Sequence, residues 1–347
     1  MDLIEQIKNC TIPSKLLRFR DQSELTQLIQ SWPGIHYDTI GHSREGTPMF
    51  GLIFGTGSQH VSIIAGCHAD EPMGPMTAQL LYPILTEHFP QMLEEFTFHV
   101  ISQMNPDGAD RNRPWFRDPF SMADYLNQTI RELPGDDMEF GFGDDGDERP
   151  ECQAMQSFLR PHAPYAAHFS LHGLAFAEGA WCLVCREWEN LGIPFMEAFT
   201  HLCEVLDFPQ HDIDRHGEKG FVRYRKGFTS TPHSKPMQQH FLNLGDSETA
   251  ALFKPSSMQW IQSLGGDPLC IVSELPLFHI DLTSPSLDDL YTARLKEELT
   301  LIRSKNKTLS DDDLAPLKSR FNMKPTPIEL QIRLQMGMIL LALQNLA

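Results

Sequence analysis

Two rhythms of apolar residues divide this chain. At positions 61–65, Val-Ser-Ile-Ile-Ala is a nearly continuous apolar run that stops at Gly66, the pattern of a strand buried on both faces. Residues 96–101, 165–171 and 269–273 repeat it. Helical spacing takes over elsewhere. Leu25, Leu28 and Ile29 recur within residues 22–31, which end at Trp32-Pro33-Gly34. Met76, Leu80, Leu81, Ile84 and Leu85 recur within residues 73–88, where Pro83 is placed to kink the helix. Residues 151–159 predict another helix, and 35–55 a β-hairpin with 41–47 as its connection and 49–54 as its return strand. Residues 119–150 carry turn signals and acidic clusters instead of periodicity, so they predict a loop with a solvated acidic surface.

Near residue 284 the character changes. Residues 287–302 predict one amphipathic helix, and Thr326-Pro327-Ile328-Glu329 has the form of a capping box that opens a second helix through residue 346. Residues 1–285 therefore read as one domain and 286–347 as a helical extension, packed on that domain or on a second copy in a homo-oligomer. The apolar run 336–343 is too short to span a bilayer.

Composition narrows the partners. With 46 Asp and Glu against 28 Lys and Arg, the formal net charge is −18. Nucleic acid and anionic membrane each require a basic face, so neither is expected as a partner. The chain does not open on a charged stretch followed by an apolar core, which predicts a cytoplasmic protein. Seven irregularly spaced cysteines fit reduced thiols, and the Cys182-x-x-Cys185 pair, inside the apolar stretch 180–185, is expected to pack within a strand.

The chemistry-bearing residues gather where strands end. His68 and Glu71 follow the run 61–65, His172 follows 165–171, and Glu274 follows 269–273. Alone, H-x-x-E reads sooner as a turn that opens a helix. Two histidines and a glutamate at strand ends together suit a catalytic zinc site, which keeps a position for water. A carboxylate beside that water can act as base and then acid. The strand 96–101 runs into Asn105-Pro106-Asp107-Gly108, read as a turn, with Arg111, Arg113 and Arg117 close behind. Guanidinium groups there suit an oxyanion or a substrate carboxylate.

Taken in order, His68-x-x-Glu71, the Asn-Pro-Asp-Gly turn, the arginine loop, His172 and Glu274 resemble the zinc metallocarboxypeptidase family, across roughly residues 20–285. The hairpin sequence Thr39-Ile40-Gly41-His42-Ser43-x-Glu45-Gly46 is also similar to that family. The resemblance implies an α/β fold, a mixed, mainly parallel eight-stranded sheet between helices. It implies one Zn²⁺ held by His68, Glu71 and His172, with Glu274 as base and Arg113 stabilising the oxyanion, Arg111 and Arg117 being close rivals and Arg111 also a candidate for binding the substrate. Its substrates would be peptides or N-acyl amino acids bearing a carboxylate. Where the family has Leu-Asn-Arg, this chain has Leu126-Asn127-Gln128, so Arg131 becomes the candidate carboxylate clamp and Asn127 its helper. The family's substrate-closing tyrosine has no counterpart, since no tyrosine lies between Tyr224 and Glu274. The activities in view are removal of a C-terminal residue, N-acyl amino acid deacylation and murein-peptide cleavage, with a non-catalytic binding module as the reading from another class.

Overall fold

The run 61–65 becomes strand β3 in the middle of a large mixed sheet, in a computed structural model that describes residues 2–143, 145–281, 290–305 and 308–346. In chain order the strands are β1 (His36–His42), β2 (Pro48–Phe54), β3 (Gln59–Ala65), β4 (Phe96–Ile101), β5 (Ala167–Ala177), β6 (Trp181–Val184), β7 (Arg223–Arg225), β8 (Phe228–Ser230), β9 (Leu269–His279) and β10 (Lys324–Pro325). Their spatial order is β1-β2-β4-β3-β5-β9-β6-β8-β7, with β10 on β9. β4, β3, β5 and β9 are mutually parallel at the centre, and antiparallel pairings flank them. Val61, Ile63 and Ile64 are wholly buried, as a strand covered on both faces requires. Among the described residues the sheet has ten strands where eight were expected; β7 and β10 have three and two residues, too few to show a periodicity.

β5 and β9 run further than their apolar patterns suggest. β3 pairs with β5 only as far as Ala65 opposite Leu171. β5 and β9 then continue together from Gly173 opposite Leu275 to Ala177 opposite His279. His172 and Glu274 therefore lie inside strands, not at their ends, because β5 and β9 run on together past the point where β3 leaves. At that point Gly66 has φ +74°, and a Cβ there would meet the Gln103 side chain at 1.8 Å. Only glycine permits this sharp exit.

The expected helices are present, but Met122–Gln128 interrupts the loop read at 119–150, Ile193–Val205, Ser234–Asn243, Ser257–Ser263 and Asp311–Arg320 form where no element was expected, and three further exceptions bear on the site and the ends of the chain. Gln22–Gln30 is closed by a capping box between Asp21 and Glu24, and Met73–His88 accommodates Pro83. Asn105-Pro106-Asp107-Gly108 is a helix start rather than a loop: the Asn105 side chain accepts from the Gly108 amide at 3.0 Å, with Pro106 in the first turn of Pro106–Asn112. Asp107 then accepts from the Ser43 hydroxyl at 2.6 Å and the Thr47 hydroxyl at 2.8 Å, which pins the β1–β2 connection. The second exception is the last helix, Ile328–Gln344, which has no side-chain cap; Thr326 Oγ1 is unpartnered among the described residues, and the Thr326 amide is taken by the Leu277 carbonyl. The third is Leu3–Asn9, an N-terminal helix that the apolar pattern does not reveal.

Residues 286–347 contribute to the main core. Ile332, Leu334, Met336 and Leu340 of the last helix share one apolar cluster with Ile7, Leu80 and Leu171. Arg333 ties the two ends of the chain by donating to the carbonyls of Ile7 at 2.6 Å and Cys10 at 3.0 Å. Leu290–Lys305 is helical, whereas the beginning of the helix expected at 287–302 and the junction at 285 lie outside the described residues. All seven cysteines are free and buried, with Cys182 inside β6. Among the described residues, no helix is long and apolar enough to cross a membrane.

Candidate metal centre

His68, Glu71 and His172 converge. After Gly66 the chain turns back on itself, with the Glu71 amide bonded to the His68 carbonyl, and Pro72 leads into the helix Met73–His88. This turn and the middle of β5 bring the two Nδ1 atoms of His68 and His172 to 3.0 Å. Glu71 Oε1 stands 2.8 Å from His68 Nδ1, and Glu71 Oε2 stands 2.8 Å from His172 Nδ1. Tetrahedral ligand atoms about 2.0–2.1 Å from a zinc ion are about 3.3 Å apart, so this donor set closes to a zinc site with small movements.

The other ring nitrogens are held by carboxylates that the sequence does not single out. His68 Nε2 lies 3.3 Å from Asp137 Oδ1, and His172 Nε2 lies 3.0 Å from Glu139 Oε2. Glu139 is itself held by the Ser257 amide and hydroxyl and by the Ser170 hydroxyl. Such outer partners leave Nδ1 free to bind a metal. Asp137 thus departs from the solvated acidic surface expected of residues 119–150. The available signal was local: Met138 and Phe142 are large apolar side chains within the acidic stretch, and both are fully buried.

Opposite charges override burial throughout this cluster. Burial opposes ionisation of Glu71, but His68, then Arg131 and His172, hold its carboxyl well below the usual range. His68, also against burial, is pushed up to about 9 by Glu71 and Asp137. Glu139 and Asp137 are likewise lowered against burial by His172 and His68 respectively. The donor set thus attracts a cation.

Glu274 stands beside this cluster. It is paired in register with His172 across β5 and β9, so both side chains leave the same face of the sheet. Glu274 has no hydrogen-bond partner among the described residues, and burial, reinforced by Glu71, pushes its carboxyl up to about 8. It is a carboxylate next to the donor set that the donor set does not use.

The arginines are distributed differently from expectation. Arg131 is not a free clamp: its guanidinium lies 2.9 Å from Glu71 Oε1, 3.0 Å from His68 Nδ1 and 3.2 Å from Asp70 Oδ1. Two buried carboxylates draw it in. Asn127 is not its helper either, since both ends of its amide are bonded to the backbone of Leu309, at 2.8 and 2.9 Å. Arg111 is drawn away to Glu45. Arg113 is half-exposed and paired with Asp110, yet it lines a cavity of about 140 Å³ that also contains His68 and Glu71. Arg18 and Arg20, from the segment before Gln22–Gln30, line the same cavity. Among the described residues, Arg20 is hydrogen-bonded by backbone carbonyls of Lys15, Leu16 and Arg18. Neither residue has a recognisable motif around it, so only the fold brings them here.

Residues 22–175 match the family model described as zinc carboxypeptidase. Solved structures agree on the fold. A metallo-carboxypeptidase from Burkholderia cenocepacia superposes with a TM-score of 0.53 at 15% identity, covering 95% of this chain and 70% of that one. Carboxypeptidase A from Helicoverpa armigera gives 0.54 at 13% identity, covering 95% and 74%. A metallo-carboxypeptidase from Pseudomonas aeruginosa, in complex with (2-guanidinoethylmercapto)succinic acid, gives 0.53 at 16%, covering 94% and 68%. No curated protein matches the chain.

Proposed function

We propose that this protein is a zinc-dependent carboxypeptidase that hydrolyses the C-terminal amide bond of a peptide or peptide-like substrate bearing a carboxylate. The observation that carries the reading is the convergence of His68 Nδ1, His172 Nδ1 and Glu71 within 3.0 Å of one another, with Glu274 in register beside His172. A zinc ion held by these three residues would supply Lewis acidity, making a water nucleophilic and polarising the scissile carbonyl.

Every other step falls to the chain. Glu274 takes the proton of the attacking water and delivers it to the leaving nitrogen; a carboxyl raised towards neutrality suits both transfers. Asp137 and Glu139 keep His68 and His172 in one tautomer and orientation. Arg113 lines the cavity from just beyond the end of the helix Pro106–Asn112 and would be the donor that meets the tetrahedral oxyanion. Its pairing with exposed Asp110 is a surface ion pair, weak enough to exchange for a stronger acceptor. Arg20, which has no ion-pair carboxylate among the described residues, would take the substrate's carboxylate, with Arg18, itself paired with Glu24 at 2.6 Å, beside it.

N-acyl amino acid deacylation is the second reading, favoured by the small volume of the cavity, about 140 Å³. The test is zinc content of the purified protein, then hydrolysis of a panel of C-terminally free peptides, C-terminally amidated peptides and N-acyl amino acids. Cleavage of free but not amidated peptides is expected; cleavage confined to N-acyl amino acids selects the second reading. Bound zinc with no hydrolysis of any member would sink both.

A further inference from the structure

The last helix, Ile328–Gln344, places a polar side chain in apolar surroundings: Gln335 is wholly buried. Its Nε2 donates to the His172 carbonyl at 3.1 Å and to Ser273 Oγ at 3.0 Å, while its Oε1 accepts from the Thr77 hydroxyl at 2.6 Å. Ser273 closes the network, accepting from the His172 amide at 3.2 Å and donating to the His172 carbonyl at 3.1 Å. Side chains alternate along a strand, so Ser273 and Gln335 lie on the face of the sheet opposite His172 and Glu274. These bonds occur just beyond Leu171, the last residue of β5 that β3 pairs. One amide therefore touches the strand of a metal donor and, one residue before Glu274, the strand of the base.

We propose that Gln335 is a positioning residue for the metal centre. Through the His172 carbonyl and the Ser273 hydroxyl it sets how β5 and β9 lie against each other at the pair His172 and Glu274, in the stretch where β3 gives no support. Thr77 orients the amide, since a hydroxyl donor at Oε1 leaves the NH₂ to face the strands. The last helix, beyond the residues that match the family model, is thereby part of what shapes the site. The inference rests on the metal-centre reading above, and apolar packing of the helix would not by itself require an amide at this position.

The experiment is a zinc titration of the chelator-stripped full chain against a competing zinc indicator, with melting temperatures recorded in parallel. Removing an outer partner of a metal ligand costs about 10–100-fold in metal affinity. Gln335→Met, of similar shape, is expected to weaken zinc binding about tenfold. Gln331→Met serves as the control: Gln331 is equally buried on the same helix but among the described residues its side chain bonds the Thr326 carbonyl alone, and its variant is expected to keep the zinc Kd within about twofold. An unchanged Kd in Gln335→Met, or an equal loss in Gln331→Met, overturns the proposal. Should Gln335→Met fail to fold, Thr77→Val decides: a Kd raised about threefold or more supports the proposal and an unchanged one overturns it. Wild-type chain that binds no zinc overturns the metal-centre reading and this inference together, whereas zinc binding without hydrolysis overturns only the proposed activity.

Discussion

Replacing Glu274 by Gln separates two properties of one carboxyl group. In the metal-free chain its pKa is pushed from 4.5 up to about 8, first by burial and then by Glu71. Below pH 4.5 the group is neutral in both folded and unfolded chains and contributes nothing. As pH rises through 4.5 the unfolded chain releases its proton first, so stability falls, and the loss is complete near pH 8. At pH 7 roughly 2.5 pH units at about 1.36 kcal/mol each amount to about 3 kcal/mol. For a chain of this length the unfolding entropy is about 0.7 kcal/mol per degree, so Glu274→Gln should raise the melting temperature by about 4 °C at pH 7. Little change is expected at pH 5. Bound zinc shrinks the gain, because a nearby cation stabilises the carboxylate that the glutamine lacks. The variant should keep zinc while losing turnover by about 10²–10⁴-fold, the contribution of a positioned general base. Thermal melts in chelator from pH 5 to 8, and single-turnover hydrolysis with zinc restored, measure both. A Glu274→Gln chain that melts with wild type at every pH, or turns over near normally with zinc bound, would refute the placement or the role.

Three further sets of substitutions probe the surroundings. Asp137→Asn removes the carboxylate from His68 Nε2 and should weaken zinc binding about 10–100-fold; an unchanged Kd would return Asp137 to the solvated surface. Arg131→Ala removes a guanidinium that holds the same Glu71 and His68 atoms a metal would use, so zinc should bind more tightly, by about tenfold or about 1.4 kcal/mol. Weaker binding in that variant would mean that Arg131 supports the centre instead of competing with it. Arg113→Ala should lower kcat by about 10²–10³-fold, whereas Arg20→Ala should raise KM for carboxylate-bearing substrates and leave kcat alone. Steady-state kinetics on a free peptide and its amide distinguish the two, and matching effects from both variants would contradict the division of roles.

The sequence by itself determined the central strands, five of the helices, and the gathering of His68, Glu71, His172 and Glu274. Those features are local: a buried parallel strand shows as an unbroken apolar run, and an α/β sheet delivers the residues after each such run to one edge. Strand length was not local. His172 and Glu274 look terminal because the apolar signal fades there, yet β5 and β9 continue by pairing with each other, which neither stretch reveals alone. Tertiary structure also decided every long-range polar contact. An arginine carries no record of its partner, so Arg131 proved to sit on Glu71 and Asp70, and Arg20, twenty residues into the chain, arrived in the cavity of His68. An aspartate in a glycine-rich acidic loop reads as solvated unless the fold buries it against a histidine, as it does Asp137. The last helix is the plainest case: its apolar pattern told that it would pack, but only the packed structure set Gln335 against the His172 carbonyl, because that contact depends on where a helix late in the chain meets a strand in its middle.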